Sequence, residues 1–294
     1  MRASKAIGLY VAAAILLGAL FAPWLFWAVR PVSAYPFHRI FNRSVMIVGF
    51  VGLWPLLRAL GFRSAGDLGF ARSRAWWRRA LAGLALGIGS LALVATASVI
   101  WGGRSVHPDR SMGEMTNAAL HFLVTGIVVA LIEETFFRGV LQGAWQRTIN
   151  PILAVVWASA VYAAAHFLKP AGADIPASQV AWNSGLKLLP LIVSQSFRGG
   201  GVLVPFVTLF LVGCVLGLAY AKTGALHLSI GLHAGWVLSN EFVRWLGGGS
   251  VIEYAACWPM LVVLLVLMAW LCPTKSKPLR APEPSDSGRG ARSI

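Results

Sequence analysis

Two adjacent carboxylates, Glu133 and Glu134, lie inside the run from Leu123 to Val140, where nearly every neighbour is apolar. The other acidic residues fall in loops and tails or, for Glu241, near a segment end. An ionisable side chain in the hydrocarbon zone costs roughly 2.5–3.5 kcal/mol on insertion scales, so two side by side require partners and point to function. On a helix, adjacent residues project about 100° apart, whereas residues four apart lie one above the other. Glu134 is therefore expected to pair with Arg138, and Glu133 to project toward another helix as an acid or base. A second reading makes all three an ion-pair network that only ties helices together.

Two later apolar segments each carry an imidazole. His166 closes the run Tyr162-Ala163-Ala164-Ala165-His166, and His233 sits within Gly231-Leu232-His233-Ala234-Gly235-Trp236. A single histidine in such a setting is more often packed against a neighbouring helix than catalytic. Three segments with an inward carboxylate or imidazole shift that balance toward a site, and the surrounding glycines and alanines permit the close helix approach it needs. His227 is a fourth candidate, but it follows Thr223-Gly224 at a segment start and reads as interfacial.

The elements that must position these groups are membrane helices. Hydrophobic residues make up 57% and charged residues 12% of the 294 residues. The mean hydropathy is +0.71, too apolar for a soluble domain of this length. Long continuous apolar segments favour helices over a barrel, since a helix satisfies its own backbone in lipid. The fold class is all-α, a polytopic protein with about eight transmembrane helices expected near 7–29, 41–61, 80–101, 118–140, 150–168, 201–221, 226–244 and 252–272. The first is too long for a signal-peptide core and reads as an uncleaved anchor. The domain organisation is then an N-terminal group of three helices (1–117), a core (118–245), a last span (246–273) and a basic, disordered tail (274–294).

With eight spans both termini share a side. That side collects the larger share of basic residues, among them Arg2, Lys5, Arg63, Arg78, Arg79, Arg147, Lys222 and Lys275, against Arg30, Arg39, Arg43, Arg104, Arg110, Lys169, Lys187, Arg198 and Arg244 opposite. Both termini are expected in the cytoplasm, with the protein integral to a plasma or inner membrane. The net charge of +15 flanks the apolar spans and accompanies Trp76 and Trp77, so anionic lipid rather than nucleic acid is the expected partner. The stretch Arg72 to Arg79 follows either as an interfacial anchor or simply from the orientation rule.

Cys214, Cys257 and Cys272 show no CxxC spacing and support neither a disulfide framework nor a zinc knuckle. The sequence contains no HExxH, G-x-S-x-G or nucleotide-binding loop. Within the long connection 169–200, the semi-apolar stretch Val180 to Phe197, with Pro190, reads as an interfacial or re-entrant helix, a lid or a plain surface helix.

These residues resemble the CPBP (CAAX protease and bacteriocin-processing, or Abi) family of membrane-embedded proteases, including type II CAAX prenyl endoproteases. The motif EExxxR appears as Glu133-Glu134-Thr135-Phe136-Phe137-Arg138, followed by Gly139. FxxxH appears as Tyr162 to His166, with Tyr for Phe, and a third motif runs from His233 to Val237, where some members carry Asn. The resemblance covers roughly 118–245. It implies an endopeptidase acting on a membrane protein or peptide, with a prenylated CAAX-like terminus as one candidate substrate. It assigns Glu133 as general base, His166 as its helper in activating water, and His233 as oxyanion donor, while Glu134 and Arg138 fix the first helix. No cofactor is required by this mechanism. Zinc held by Glu133, His166 and His233 is the alternative, and a proton-coupled carrier or non-catalytic scaffold are further ones.

Overall fold

The computed structural model describes residues 2–70, 74–101, 109–167, 174–196, 202–247 and 257–271. The tail after 273, Cys272, Arg72 and Lys169 lie outside the described residues. Among those described, the long elements are helices: α1 (Arg2–Val29), α2 (Phe37–Ala59), α3 (Trp76–Ile100), α4 (Met112–Gln146), α5 (Pro151–Phe167), α6 (Ser184–Ser196), α7 (Leu203–Thr223), α8 (His227–Trp245) and α9 (Trp258–Leu271). Each of the eight expected spans falls on one of them. Helices α1, α2, α3, α4 and α7 are long and apolar enough to cross a membrane, while α5 and α9 are shorter apolar helices. Helix α8 does not reach that apolarity, because Ser229, His233, Ser239 and Asn240 interrupt it, and its polar groups are buried against protein. Large apolar side chains on other helices, such as Leu93, Val124, Trp157 and Val266, are exposed, as lipid-facing surface must be.

Local chemistry sets the ends of the central helices. Ser111 and Glu114 form a reciprocal capping box in which Glu114 Oε2 accepts from the Ser111 N–H at 2.9 Å, starting α4 six residues before the expected span. Gly224, at φ +64°, ends α7 in the left-handed conformation that glycine adopts without a Cβ clash. Its N–H closes onto Tyr220 O at 2.8 Å, so the chain turns straight into α8.

Contacts between helices fix their directions. Gly18 lies against Val45, and the Tyr10 hydroxyl donates to Gly49 O at 2.7 Å, so α1 and α2 are antiparallel. Gly83 and Gly87 of α3 lie on the backbones of Leu228 and Leu232 in α8, which therefore runs parallel to α3. Gly126 faces Ala234 and Gly139 faces Leu226, making α4 antiparallel to α8. The α3–α8 seam pairs Gly83-xxx-Gly87 with Gly231-xxx-Gly235, and a β-carbon at any of the four would run into the facing backbone. Trp236 completes this contact by donating its indole N–H to Ser90 Oγ at 3.0 Å.

The interior has two main parts. One cluster joins Leu91, Phe137, Leu141, Tyr162, Leu216, Leu232 and Trp236 around the middle of α4, α5, α7 and α8. The other joins Ala19, Phe26, Phe37, Phe41, Leu188 and Ile192, so the stretch near Pro190 is a helix packed on α1 and α2. Gly185 permits α6 to press against the Ala19 backbone.

Candidate active site

Helix α4 does not continue as a regular α-helix. From Thr135 to Gln142 its turns widen to the π form, and the Gly143 N–H bonds back to Arg138 O, five residues earlier. The widened stretch keeps Arg138 and Gln142 on the side facing α7. Arg138 Nη2 donates to Gly213 O at 3.3 Å and Gln142 Nε2 to Gly217 O at 2.8 Å. Gly139 lies against Leu68 O, which holds the loop before α3 under the same turns.

Glu134 and Arg138 form a fully buried pair, with Arg138 Nη1 donating to Glu134 Oε1 at 2.9 Å. The same oxygen lies 2.9 Å from His233 Nδ1 on α8. Two positively polarised groups on one carboxylate offset the desolvation that an isolated buried carboxylate would suffer. The Tyr162 ring covers the Arg138 guanidinium at 4.5 Å, so the cation is enclosed by a carboxylate, a carbonyl and an aromatic face.

Glu133 has a different environment. Its side chain is 28% exposed where that of Glu134 is 0%, and its Oε2 lies 3.8 Å from His233 Nε2 and 3.9 Å from His166 Nε2. Three side chains from α4, α5 and α8 thus converge on one point. The tautomers follow from the other ring nitrogens. His166 Nδ1 lies 2.9 Å from Tyr162 O, a carbonyl that only accepts, so Nδ1 carries the proton. His233 Nδ1 faces a carboxylate and also donates. In neutral rings both Nε2 atoms therefore present lone pairs toward the Glu133 carboxylate, and the point between them suits a proton-bearing or positively charged species.

The trio opens on a cavity of about 490 Å³ lined also by Val129, Tyr162, Phe167, Pro205, Leu209, Val212, Trp236, Val237, Asn240, Glu241 and Arg244. Glu133, His166 and His233 meet at its wall, whereas Glu134 and Arg138 lie behind it. His227 is not among the lining residues and packs instead near Trp76, with ring centroids 5.8 Å apart. Among the described residues, no group of three or more His, Cys, Asp or Glu has the arrangement of a metal site. Sequence reasoning did not single out Asn240, Glu241 or Arg244 as site residues. The signal was available in their helical spacing from His233, seven, eight and eleven residues on.

A family model for Rce1-like type II CAAX prenyl endopeptidases matches residues 115–239. No curated protein and no solved structure matches the chain. The matched segment runs from the start of α4 into the last turns of α8 and contains Glu133, Glu134, Arg138, His166 and His233. Over this segment the chain is similar to the CAAX-type membrane endopeptidases.

Proposed function

We propose that the protein hydrolyses a peptide bond of a membrane-associated protein or peptide with a water activated by Glu133. The observation that carries this reading is the meeting of Glu133 Oε2 with His233 Nε2 at 3.8 Å and His166 Nε2 at 3.9 Å on the wall of the cavity. These separations are too long for direct hydrogen bonds and suit one bridging oxygen. A water about 2.8 Å from each partner would subtend roughly 90° between them. Glu133 accepts a proton from that water as it attacks the scissile carbonyl carbon, and His166 Nε2 orients it through the second O–H.

The developing oxyanion needs a donor. His233 supplies one from Nε2 when it is imidazolium, with Nδ1 donating to Glu134. Glu134, already neutralised in part by Arg138, provides the negative charge that accompanies that form. Val237, one turn beyond His233, has no donor to add, so His233 carries this role alone on its helix. Collapse of the tetrahedral intermediate breaks the C–N bond, and the proton taken by Glu133 passes to the leaving amine.

Zinc would draw on the same three side chains, and both Nε2 lone pairs have suitable chemistry. At metal–ligand distances of about 2.0–2.1 Å, tetrahedral ligand atoms lie about 3.3–3.4 Å apart. The observed 3.8 and 3.9 Å are wider than that set requires. The arrangement fits a bridging water better than a tetrahedral ion, and no step here passes through a metal.

The test compares processed protein termini in membranes containing wild-type protein with those containing Glu133→Gln. Termini present only with the wild type identify substrates. Identical termini in both, at equal protein levels, would overturn the reading.

A further inference from the structure

Tyr162 is packed on every side by groups of the site. Its ring covers the Arg138 guanidinium at 4.5 Å and meets Phe137 edge-on, with ring centroids 5.1 Å apart. The His166 ring lies 4.5 Å away between centroids, and that of His233 lies 6.3 Å away at 83°. The side chain lines the cavity although only 2% of the residue is exposed. Among the described residues no group accepts from its hydroxyl, which is also absent from the buried polar atoms left without a partner, so the O–H opens into the cavity. Phenylalanine would fill the same space, and the hydroxyl is what tyrosine adds at this place in the run from Tyr162 to His166. Taking the proteolytic reading as its basis, we propose that the Tyr162 hydroxyl is a second donor to the oxyanion, reaching it from α5 as His233 does from α8.

The other donors of the cavity wall are committed or distant. The Trp236 indole N–H is held by Ser90 Oγ at 3.0 Å, and His166 Nδ1 by Tyr162 O at 2.9 Å. Arg138 lies behind the wall with one nitrogen on Glu134 and another on Gly213 O. Asn240 and Arg244 stand about two and three helical turns beyond His233. Val237, one turn beyond it, has no donor. Tyr162 is level with both histidine rings, one turn before His166 on its own helix and in edge contact with His233 across to α8.

The chemistry of the two donors is complementary. His233 donates from Nε2 only as imidazolium, because its Nδ1 proton already faces Glu134. A phenol keeps its proton at neutral pH whatever the state of His233, so Tyr162 offers an O–H with no prior proton transfer. The Arg138 cation on the ring face sets positive charge behind that donor, and the packed ring holds it in place before the reaction begins. As water attacks, the carbonyl electron pair moves onto oxygen, which accepts from the hydroxyl while the phenolic proton stays on Tyr162. On collapse the C=O bond re-forms, the C–N bond breaks, and the leaving amine takes the proton held by Glu133.

The experiment uses a peptide spanning a Glu133-dependent cleavage site, found by the comparison of termini, and its phosphinate analogue, whose tetrahedral P–O⁻ stands for the oxyanion. Tyr162→Phe keeps the ring, so Tm and KM should match the wild type. Its kcat should fall at least tenfold, toward the about 10²–10³-fold that loss of one oxyanion donor costs. Inhibition by the phosphinate should weaken by a similar factor. Wild-type kcat in Tyr162→Phe would overturn the assignment. So would a lower kcat with unchanged phosphinate inhibition, or one that comes with a lower Tm, since either makes the hydroxyl a packing group. Cleavage lost in Glu133→Gln but untouched in Tyr162→Phe sinks only the role of Tyr162, whereas absence of any Glu133-dependent cleavage sinks the proteolytic reading and this one with it.

Discussion

Glu134 Oε1 lies 2.9 Å from His233 Nδ1, a contact that ties α4 to α8, the helix of the proposed oxyanion donor. Because the same oxygen receives Arg138 Nη1 at 2.9 Å, removing the charge of Glu134 affects three helices. Glu134→Gln leaves Arg138 buried without its carboxylate, a defect costing about 3–5 kcal/mol. A lower Tm and a loss of activity should appear together. Glu133→Gln differs, since its partly exposed side chain makes no short ion pair. Its Tm should match the wild type while kcat falls by about 10²–10⁴-fold. Equal loss of Tm in the two variants would remove the division between a positioning Glu134 and a reacting Glu133.

The loop 60–70 supports the widened turns of α4 from outside the membrane-spanning helices. Asp67 Oδ2 accepts from the Arg63 and Ser64 backbone N–H groups at 2.9 and 2.8 Å and from the Ser64 hydroxyl at 3.0 Å. The Arg63 backbone hydrogen bond, followed by the Ser64 bonds, holds its carboxyl below the usual carboxylate value. A folded-state value below the unfolded one gives stability that is present above the unfolded value and lost as pH falls through the folded one. Asp67→Asn should therefore lower Tm at neutral pH, by a solvent-screened amount of a few tenths of a kcal/mol to about 1 kcal/mol, and that difference should shrink below about pH 4. A difference independent of pH would assign the effect to shape rather than charge.

Much of this was legible before any coordinates. The i,i+4 spacing of Glu134 and Arg138 is itself a distance statement, and the glycines near His233 anticipate close packing on another helix. The π stretch of α4 was not legible, because Thr135 to Gln142 reads equally well as α-helix and its register is set by Gly213 O and Gly217 O on α7. The length of α4 was underestimated for a related reason. Its first turn is polar and held by a Ser111–Glu114 cap, and its last is fixed by the loop rather than by apolarity. The mouth of the cavity was missed because Asn240, Glu241 and Arg244 read as the polar end of a span. Only the adjacent ends of α5 and α7 make them a wall.

Metal dependence has a direct test. With a water-based mechanism, protein treated with a strong chelator should retain most of its activity, and elemental analysis should find far less than one ion per chain. The trio would have to contract by about half an ångström to hold tetrahedral zinc. A stoichiometric divalent ion whose removal stops cleavage, and whose return restores it, would make Glu133, His166 and His233 ligands instead.

Helix directions give the cavity a side. Its lining comes from the end of α5 at Phe167, the start of α7 at Pro205 and the end of α8 at Arg244. The α1 start lies at the opposite face, where Trp145 of α4 donates to Ser4 Oγ at 3.0 Å, as do the loop 60–70 and the end of α9 beside Lys222. The mouth and the N-terminus therefore lie at opposite ends of the helix bundle. If the excess of basic residues keeps the N-terminal side in the cytoplasm, the mouth opens away from it. Single cysteines at Gly66 and Met112, placed in a background lacking Cys214, Cys257 and Cys272, test this in intact cells with an impermeant thiol reagent. Met112→Cys should be labelled and Gly66→Cys protected until the membrane is opened. The reverse pattern would turn the mouth to the cytoplasm and assign the protein cytoplasmic substrates, while labelling of both from outside would contradict the crossing of α3 between them.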